Sequence, residues 1–337
     1  MSIDIFNPPI SKVSKDMAGK TFLIYGTNRT GKTKQATRFD KPVYLAFEAG
    51  LNGIAGVPFF PMKSWSDFVE FIKAITPNNK DTLAKVHEMY QTIIVDEASI
   101  IGQLCSDYVC ETKGADTLAS GNNGFGLWKE YSQTFETQLR KLTLAGFTVV
   151  FIAHEGTRKF FDEKGQPYEK IYPAGDKRII DPICNAVDFI IYLGVNGVDP
   201  ETGKEVYSSA YLTNTREYHA GSRFDYCTPY IPVFTAENLK AAIADAVAAE
   251  ENASGVQAVS YEEQKKLNNP EVKEPTYDEL VEAIRKIAMK MTEDGKKSQY
   301  MAVVEQHLGK DKGVMDTTPA QTQVLKLILM DLQDFAA

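Results

Sequence analysis

Short apolar runs and polar, helix-spaced segments take turns along the first two thirds of the chain. "KTFLIYG" (20–26) and "KPVYLAFEAG" (41–50) read as buried strands, each closing at a glycine. "QTIIVDEASI" (91–100) and "GFTVVFIAHEG" (146–156) are two more runs of strand length. Between them, 32–39, 64–75, roughly 80–89 and 127–145 carry apolar residues at helical spacing. Strands alternating with helices predict an α/β fold, a mostly parallel sheet with helices on both faces. "AVDFIIYLGV" (186–195), the turn chemistry of "GVDPETGKE" and the return run "VYSSAYLTNTRE" predict a hairpin added to that sheet.

The pattern changes past residue 235. "AENLKAAIADAVAAEE" is a helix former, and the stretch after it is polar and broken by proline, as linkers are. "TYDELVEAIRKIAMKM", "SQYMAVVEQHLG" and "TPAQTQVLKLILMDLQDF" are amphipathic, with capping boxes expected at Thr276/Glu279 and Thr318/Gln321. The expected organisation is therefore a large domain at 1–235, a helix and polar linker at 236–274, and a small helical module at 275–337. The sequence contains no internal repeat.

Composition narrows the function classes. The chain has 337 residues and a net charge of -8, so no global positive field recruits nucleic acid. Such binding would have to come from local loops. No apolar run reaches membrane-span length and the N-terminus has no signal-peptide core, which predicts a cytoplasmic protein without a membrane partner. Cys105, Cys110, Cys184 and Cys227 lack metal-site spacing and read as reduced thiols.

The segment after the first strand carries the chemistry. Gly26-Thr27-Asn28-Arg29-Thr30-Gly31-Lys32-Thr33 fits G-x-x-x-x-G-K-[ST], and Lys34 continues it into a helix. The glycines let successive backbone N–H groups converge on phosphate oxygens, while the following helix aims its positive end at the same anion. Lys32 is expected on the terminal phosphates and the Thr33 hydroxyl on Mg²⁺. Asp96, ending the buried run "TIIVD", is the expected second holder of that metal. Buried without a cation or donor, it would be costly. The implied ligands are ATP and Mg²⁺.

Hydrolysis needs a group that orients the attacking water, and two carboxylates qualify: Glu97, directly after Asp96, and Glu48, ending "VYLAFE". With "FEAGLNG", "IIVDEAS", "FIAHEG" and "TREYHAGSRF" in this order, residues 20–235 resemble phage-type RecA-like ATPases. That group includes single-strand-annealing recombination proteins. The resemblance implies a RecA-like core and favours Glu48 as the catalytic glutamate. It places His154 as a sensor of the terminal phosphate and Arg216 or Arg223 as a cation reaching a neighbouring subunit's site. It also implies a homo-oligomer, ring or filament. Glu97 departs from the recombinase pattern toward the AAA and helicase styles.

Two loops are candidates for single-stranded DNA. The first, 110–130, holds Lys113, Trp128 and Lys129; the second, 155–178, holds Arg158, Lys159, Phe160, Lys177 and Arg178. Cations beside aromatics neutralise phosphates and stack bases, although "DEKGQP" equally well turns a β-hairpin. The expected function is an ATPase that binds single-stranded DNA in phage-type recombination or replication, in a bacterial host's cytoplasm. The helical module is then a contact for DNA or a single-strand-binding protein. A ring helicase, a nucleotide-gated scaffold and a small-molecule kinase are the rivals; the kinase lacks a lid pattern.

Overall fold

The computed structural model describes residues 6–48, 50–195, 198–204, 208–268 and 275–336. The chain forms two compact units, one from Pro9 to Asn268 and one comprising the described residues of Met1–Pro8 and Asn269–Ala337.

In the larger unit, β1 (Thr21–Gly26) leads through the phosphate loop to α1 (Lys32–Ala36). Next come β2 (Pro42–Ala46), β3 (Phe59–Pro61), α2 (Trp65–Ile75), α3 (Lys80–Met89) and β4 (Thr92–Asp96). Then follow α4 (Ala98–Lys113), α5 (Trp128–Thr143), β5 (Thr148–Phe161), β6 (Pro167–Pro173) and α6 (Lys177–Ala186). β7 (Phe189–Gly194), β8 (Ser209–Tyr211), β9 (Gly221–Ser222) and β10 (Tyr230–Ile231) precede α7 (Ala236–Ser254) and α8 (Tyr261–Asn268). The sheet order is β10-β8-β7-β1-β5-β4-β2-β3, with β6 added to β5 and β9 to β7.

The six strands from β7 to β3 along this path run parallel, while β8, β9 and β10 add antiparallel pairings. All six residues of β1 are buried, so both faces of the sheet are covered. On one face Leu23, Tyr25, Val43 and Val95 pack with Phe68, Ile101, Phe135 and Ile183 of α2, α4, α5 and α6. On the other, Phe22, Ile24, Ile94 and Ile152 pack with Ala36 of α1 and with Leu239 and Ile243 of α7. Burying each large aliphatic or aromatic side chain here contributes about 1.5–3 kcal/mol before entropy is counted.

Several expectations shift. The helix at 236–254, expected to open a linker segment, is part of the core, and the compact unit continues to Asn268. The run 91–100 is not one strand: β4 stops at Asp96 and α4 starts at Ala98, a helix whose start is continuous with the strand in apolar pattern. The return strand of 206–217 shrinks to Ser209–Tyr211, with Val206 and Tyr207 outside the described residues. The segment 155–178 is no loop but the β5–β6 hairpin, paired from Glu155↔Pro173 to Phe161↔Pro167, followed by the start of α6.

The smaller unit packs α9 (Tyr277–Glu293), α10 (Lys297–Leu308) and α11 (Thr322–Ala336) around Leu280, Ile284, Val304, Leu325, Ile328 and Leu332. Thr276 and Glu279 form the expected capping box, and Gln321 accepts from the Thr318 amide over a 3₁₀ turn at Pro319–Gln321. Among the described residues, no helix is long and apolar enough to cross a membrane. All four cysteines are free.

Candidate nucleotide site

The parallel register brings the site together. Gly26 lies opposite His154 on β5, Asp96 opposite Ile152, and Ala46 opposite Asp96. The phosphate loop, Glu48, Asp96 and Glu97 therefore meet at and beyond the carboxyl ends of β1, β2 and β4, beside His154, from which β5 continues outward. The chain crosses from one side of β1 to the other here, which is where open α/β sheets place their ligand crevice.

The loop has the backbone its motif requires. Gly31 caps α1 at φ 83°, in the left-handed region, and a Cβ on Gly26 would stand 2.6 Å from the Leu193 carbonyl oxygen. Arg29 also takes a positive φ of 65°. Inside the loop, the Thr30 hydroxyl donates to the Thr27 carbonyl (3.0 Å), and the Ser208 hydroxyl donates to the Thr30 carbonyl (2.8 Å). Lys32 is buried, and its ammonium donates to the carbonyls of Gly26 (2.8 Å) and Thr27 (2.7 Å). Burial lowers the Lys32 pKa, with Asp96, Glu97 and other carboxylates opposing it. The adjoining cavity of about 560 Å³ is lined by Arg29, Lys32, Thr33, Glu48, Asp96 and His154 among others, a volume within the range of small-molecule sites.

The Thr33 hydroxyl donates to Asp96 Oδ2 at 2.6 Å, and the Tyr44 hydroxyl donates to the same oxygen at 3.0 Å. Burial raises the Asp96 pKa, and the two hydroxyl donors partly offset this. A hydroxyl and a carboxylate side by side at the mouth of a phosphate loop fit a hard divalent cation, so Thr33 and Asp96 would hold Mg²⁺.

Glu97 is buried, and its Oε1 accepts from the Ser99 hydroxyl (2.9 Å) and, more weakly, from the His154 amide (3.4 Å). Its Oε2 stands 3.5 Å from His154 Nε2. Glu48 is exposed, yet its pKa is raised by partial burial and by the negative charges of Asp96 and Glu97. Both candidate carboxylates thus reach one place, and their ligand atoms and that of His154 lie within 4.8 Å of one another.

Residues 18–224 match the family model described as AAA domain. The chain belongs to that family. It is also similar, at 47% identity over 337 residues covering 100% of both chains, to the SPbeta prophage-derived uncharacterized protein YorG of Bacillus subtilis (strain 168). The larger unit is thus an AAA-type P-loop ATPase domain, the style toward which Glu97 already departed from the recombinase pattern.

The remaining candidates are placed elsewhere. Arg216 is paired with Asp162 in the hairpin turn (3.6 Å) and lies over the Tyr168 ring (4.7 Å). Arg223 is paired with Asp188 (3.3 Å) and donates to the Asn185 carbonyl, at the amino ends of the strands. Neither lines the cavity. Of the residues expected on DNA, Arg158 is bound to Asp181 and lies over the Tyr172 ring (3.9 Å), and Phe160 stacks on Tyr168 within the hairpin. Arg178 lies over the Trp128 ring (4.1 Å) beside Asp176. Lys113, Lys129, Lys159 and Lys177 are exposed.

Three side chains of the site carry no motif signal. Tyr44 and Ser99 orient Asp96 and Glu97; each lay in plain view within a motif-bearing run, but a neutral hydroxyl carries no pattern of its own. Glu155, next to His154, has a fully buried Oε2 without a hydrogen-bond partner among the described residues.

Proposed function

We propose that the protein is a magnesium-dependent ATPase whose nucleotide state governs its hold on single-stranded DNA, in phage-type recombination or replication. One observation carries the ATPase reading: the Thr33–Asp96 pair, 2.6 Å apart, stands at the phosphate loop beside Glu48, Glu97 and His154. Magnesium, when bound there, neutralises charge across the terminal phosphates. Lys32 exchanges its two loop carbonyls for phosphate oxygens, and the loop amides receive the rest. Glu97, fixed by Ser99, orients the attacking water; Glu48, exposed, assists in orienting it. This reverses the preference drawn from the RecA-like resemblance, because Glu97 is the carboxylate that is held. His154 reports the terminal phosphate to β5. Arg216, with its side chain 65% exposed, is the cation that a ring or filament of copies would carry into a neighbour's site.

The DNA reading rests on β5 itself, which runs unbroken from the sheet past His154 into the hairpin, where Lys159 and Phe161 are exposed. A second reading, a nucleotide-gated scaffold with little DNA contact, is favoured by Arg158, Lys170 and Arg216 being engaged with Asp181, Asn214 and Asp162. ATP turnover with and without single-stranded DNA, with particle size followed in parallel, separates them. Stimulation by DNA together with salt-sensitive retention supports the first reading; turnover indifferent to DNA, with no retention at low salt, supports the scaffold.

A further inference from the structure

The ligand atoms of Glu48, Glu97 and His154 have more in common than a place around a water. Two carboxylate oxygens and one imidazole nitrogen lie within 4.8 Å of one another, a spacing that one cation at ordinary metal–ligand distances would close. The set is part-built. The Ser99 hydroxyl occupies Glu97 Oε1, leaving Oε2 turned toward His154 Nε2 at 3.5 Å. A hydrogen bond of that kind behind a ligand fixes its direction and raises metal affinity. His154 is held by the β1–β5 ladder beside Gly26, and Glu48 closes the set from the bend two residues past β2. The donor chemistry differs from that of the neighbouring pair. Thr33 and Asp96 offer oxygen only, which suits Mg²⁺, whereas an imidazole joined to two carboxylates suits zinc, cobalt or manganese.

The geometry points to a second, transition-metal site at Glu48, Glu97 and His154, whose filling arrests ATP hydrolysis. The ion would draw on the same oxygens and nitrogen that otherwise orient water and sense the terminal phosphate, while the phosphate loop and the Thr33–Asp96 pair stay free to hold Mg²⁺ and nucleotide. Binding of the metal stands on the donor geometry alone; the arrest rests on the ATPase reading above.

The test uses the full chain, free of nucleotide, titrated with Co²⁺ in a large excess of Mg²⁺ and followed by visible absorption. One equivalent of Co²⁺ should bind with d–d bands of a nitrogen–oxygen site and without thiolate charge-transfer bands. His154→Ala, Glu97→Gln and Glu48→Gln should each weaken binding at least tenfold, whereas Lys32→Ala, which removes a neighbouring positive charge, should not weaken it. Circular-dichroism melts of the same variants establish that they fold. Binding that Mg²⁺ displaces, or that any of the three ligand variants keeps at full strength, overturns the site. In turnover assays with Mg²⁺ and ATP, activity should fall in step with Co²⁺ occupancy; unchanged or rising activity overturns the arrest. A chain that hydrolyses no ATP under any condition would refute the ATPase reading, and the titration would still decide the metal site.

Discussion

The two edges of the central sheet are furnished in opposite ways. At the amino edge, Asp188 accepts from the Thr21 amide (2.9 Å), the Thr21 hydroxyl (3.0 Å) and Arg223 (3.3 Å). Lys20 beside it donates to the carbonyls of Ser14 (2.8 Å) and Asp16 and lies over Phe224. Burial pulls the Lys20 pKa down to about 8, against the pull of Asp188 and Asp16. At the carboxyl edge, Asp96, Glu97 and Glu48 converge while Lys32 spends its protons on loop carbonyls. An edge shaped by stability alone would saturate its charges as the amino edge does. Crowded carboxylates are a standing cost that a bound cation relieves, and costs of this kind concentrate where a protein does its work.

The sharpest way to break this contrast is Lys32→Ala. Phosphate release should fall by at least about 100-fold, the scale of losing one well-placed charge donor. Wild-type turnover in that variant would mean that the carboxyl edge is not a nucleotide site. Next in size is the pair of carboxylates. Glu97→Gln should slow turnover about 100- to 10,000-fold, and Glu48→Gln should slow it less. The opposite order would move the water-orienting role to Glu48.

Stability should respond in mirror image at the two edges. Asp188→Ala removes the carboxylate that accepts from Thr21 and Arg223 and should cost about 1–3 kcal/mol in denaturant unfolding, with turnover per folded molecule preserved. Asp96→Asn should abolish turnover yet leave the nucleotide-free chain at least as stable. If both substitutions destabilise equally, the two edges do not differ in kind.

The smallest effect is a drift with pH. The folded-state pKa values of Asp96 and Glu48 are raised above the ordinary 3.8 and 4.5, so the folded chain holds more protons than the unfolded one just above those values. These two groups therefore weaken the nucleotide-free protein as pH rises through that window, and below it they carry no penalty. Denaturant midpoints across the mildly acidic range, with and without Mg²⁺ and ATP, should show the drift in the free chain and its reduction in the bound one.

Much of this site was legible because its signals are local. The phosphate loop compresses its geometry into eight consecutive residues, and Asp96 is marked by the buried strand that ends on it. Signals that depend on distant partners were not legible. Arg158 reads as a free cation until Asp181, 23 residues on, is seen to hold it. α4 was hidden because Ile100 and Ile101 follow an apolar strand so closely that the helical spacing of Ile101, Cys105 and Val109 is absorbed into it. The start of α6 reads as loop, since Pro182 sits inside the helix and its buried face of Ile179, Ile180 and Ile183 is short. The placement of α7 in the core had no marker either; its composition is that of any alanine-rich helix, and only the sheet face beneath Leu239 and Ile243 decides it.

The length of β5 has a mechanical consequence. From His154 to Phe161 the strand extends about 23 Å at the usual rise per residue, so a tilt of about 10° at its root would swing the tip by about 4 Å. Arg158 clasps this lever to Asp181 on α6, whose Ile179, Ile180 and Ile183 are fixed in the core, so the root of the hairpin is braced against the helical layer. Bending at His154 would therefore be taken up beyond this brace, and Lys159, one residue past it, would travel with the tip.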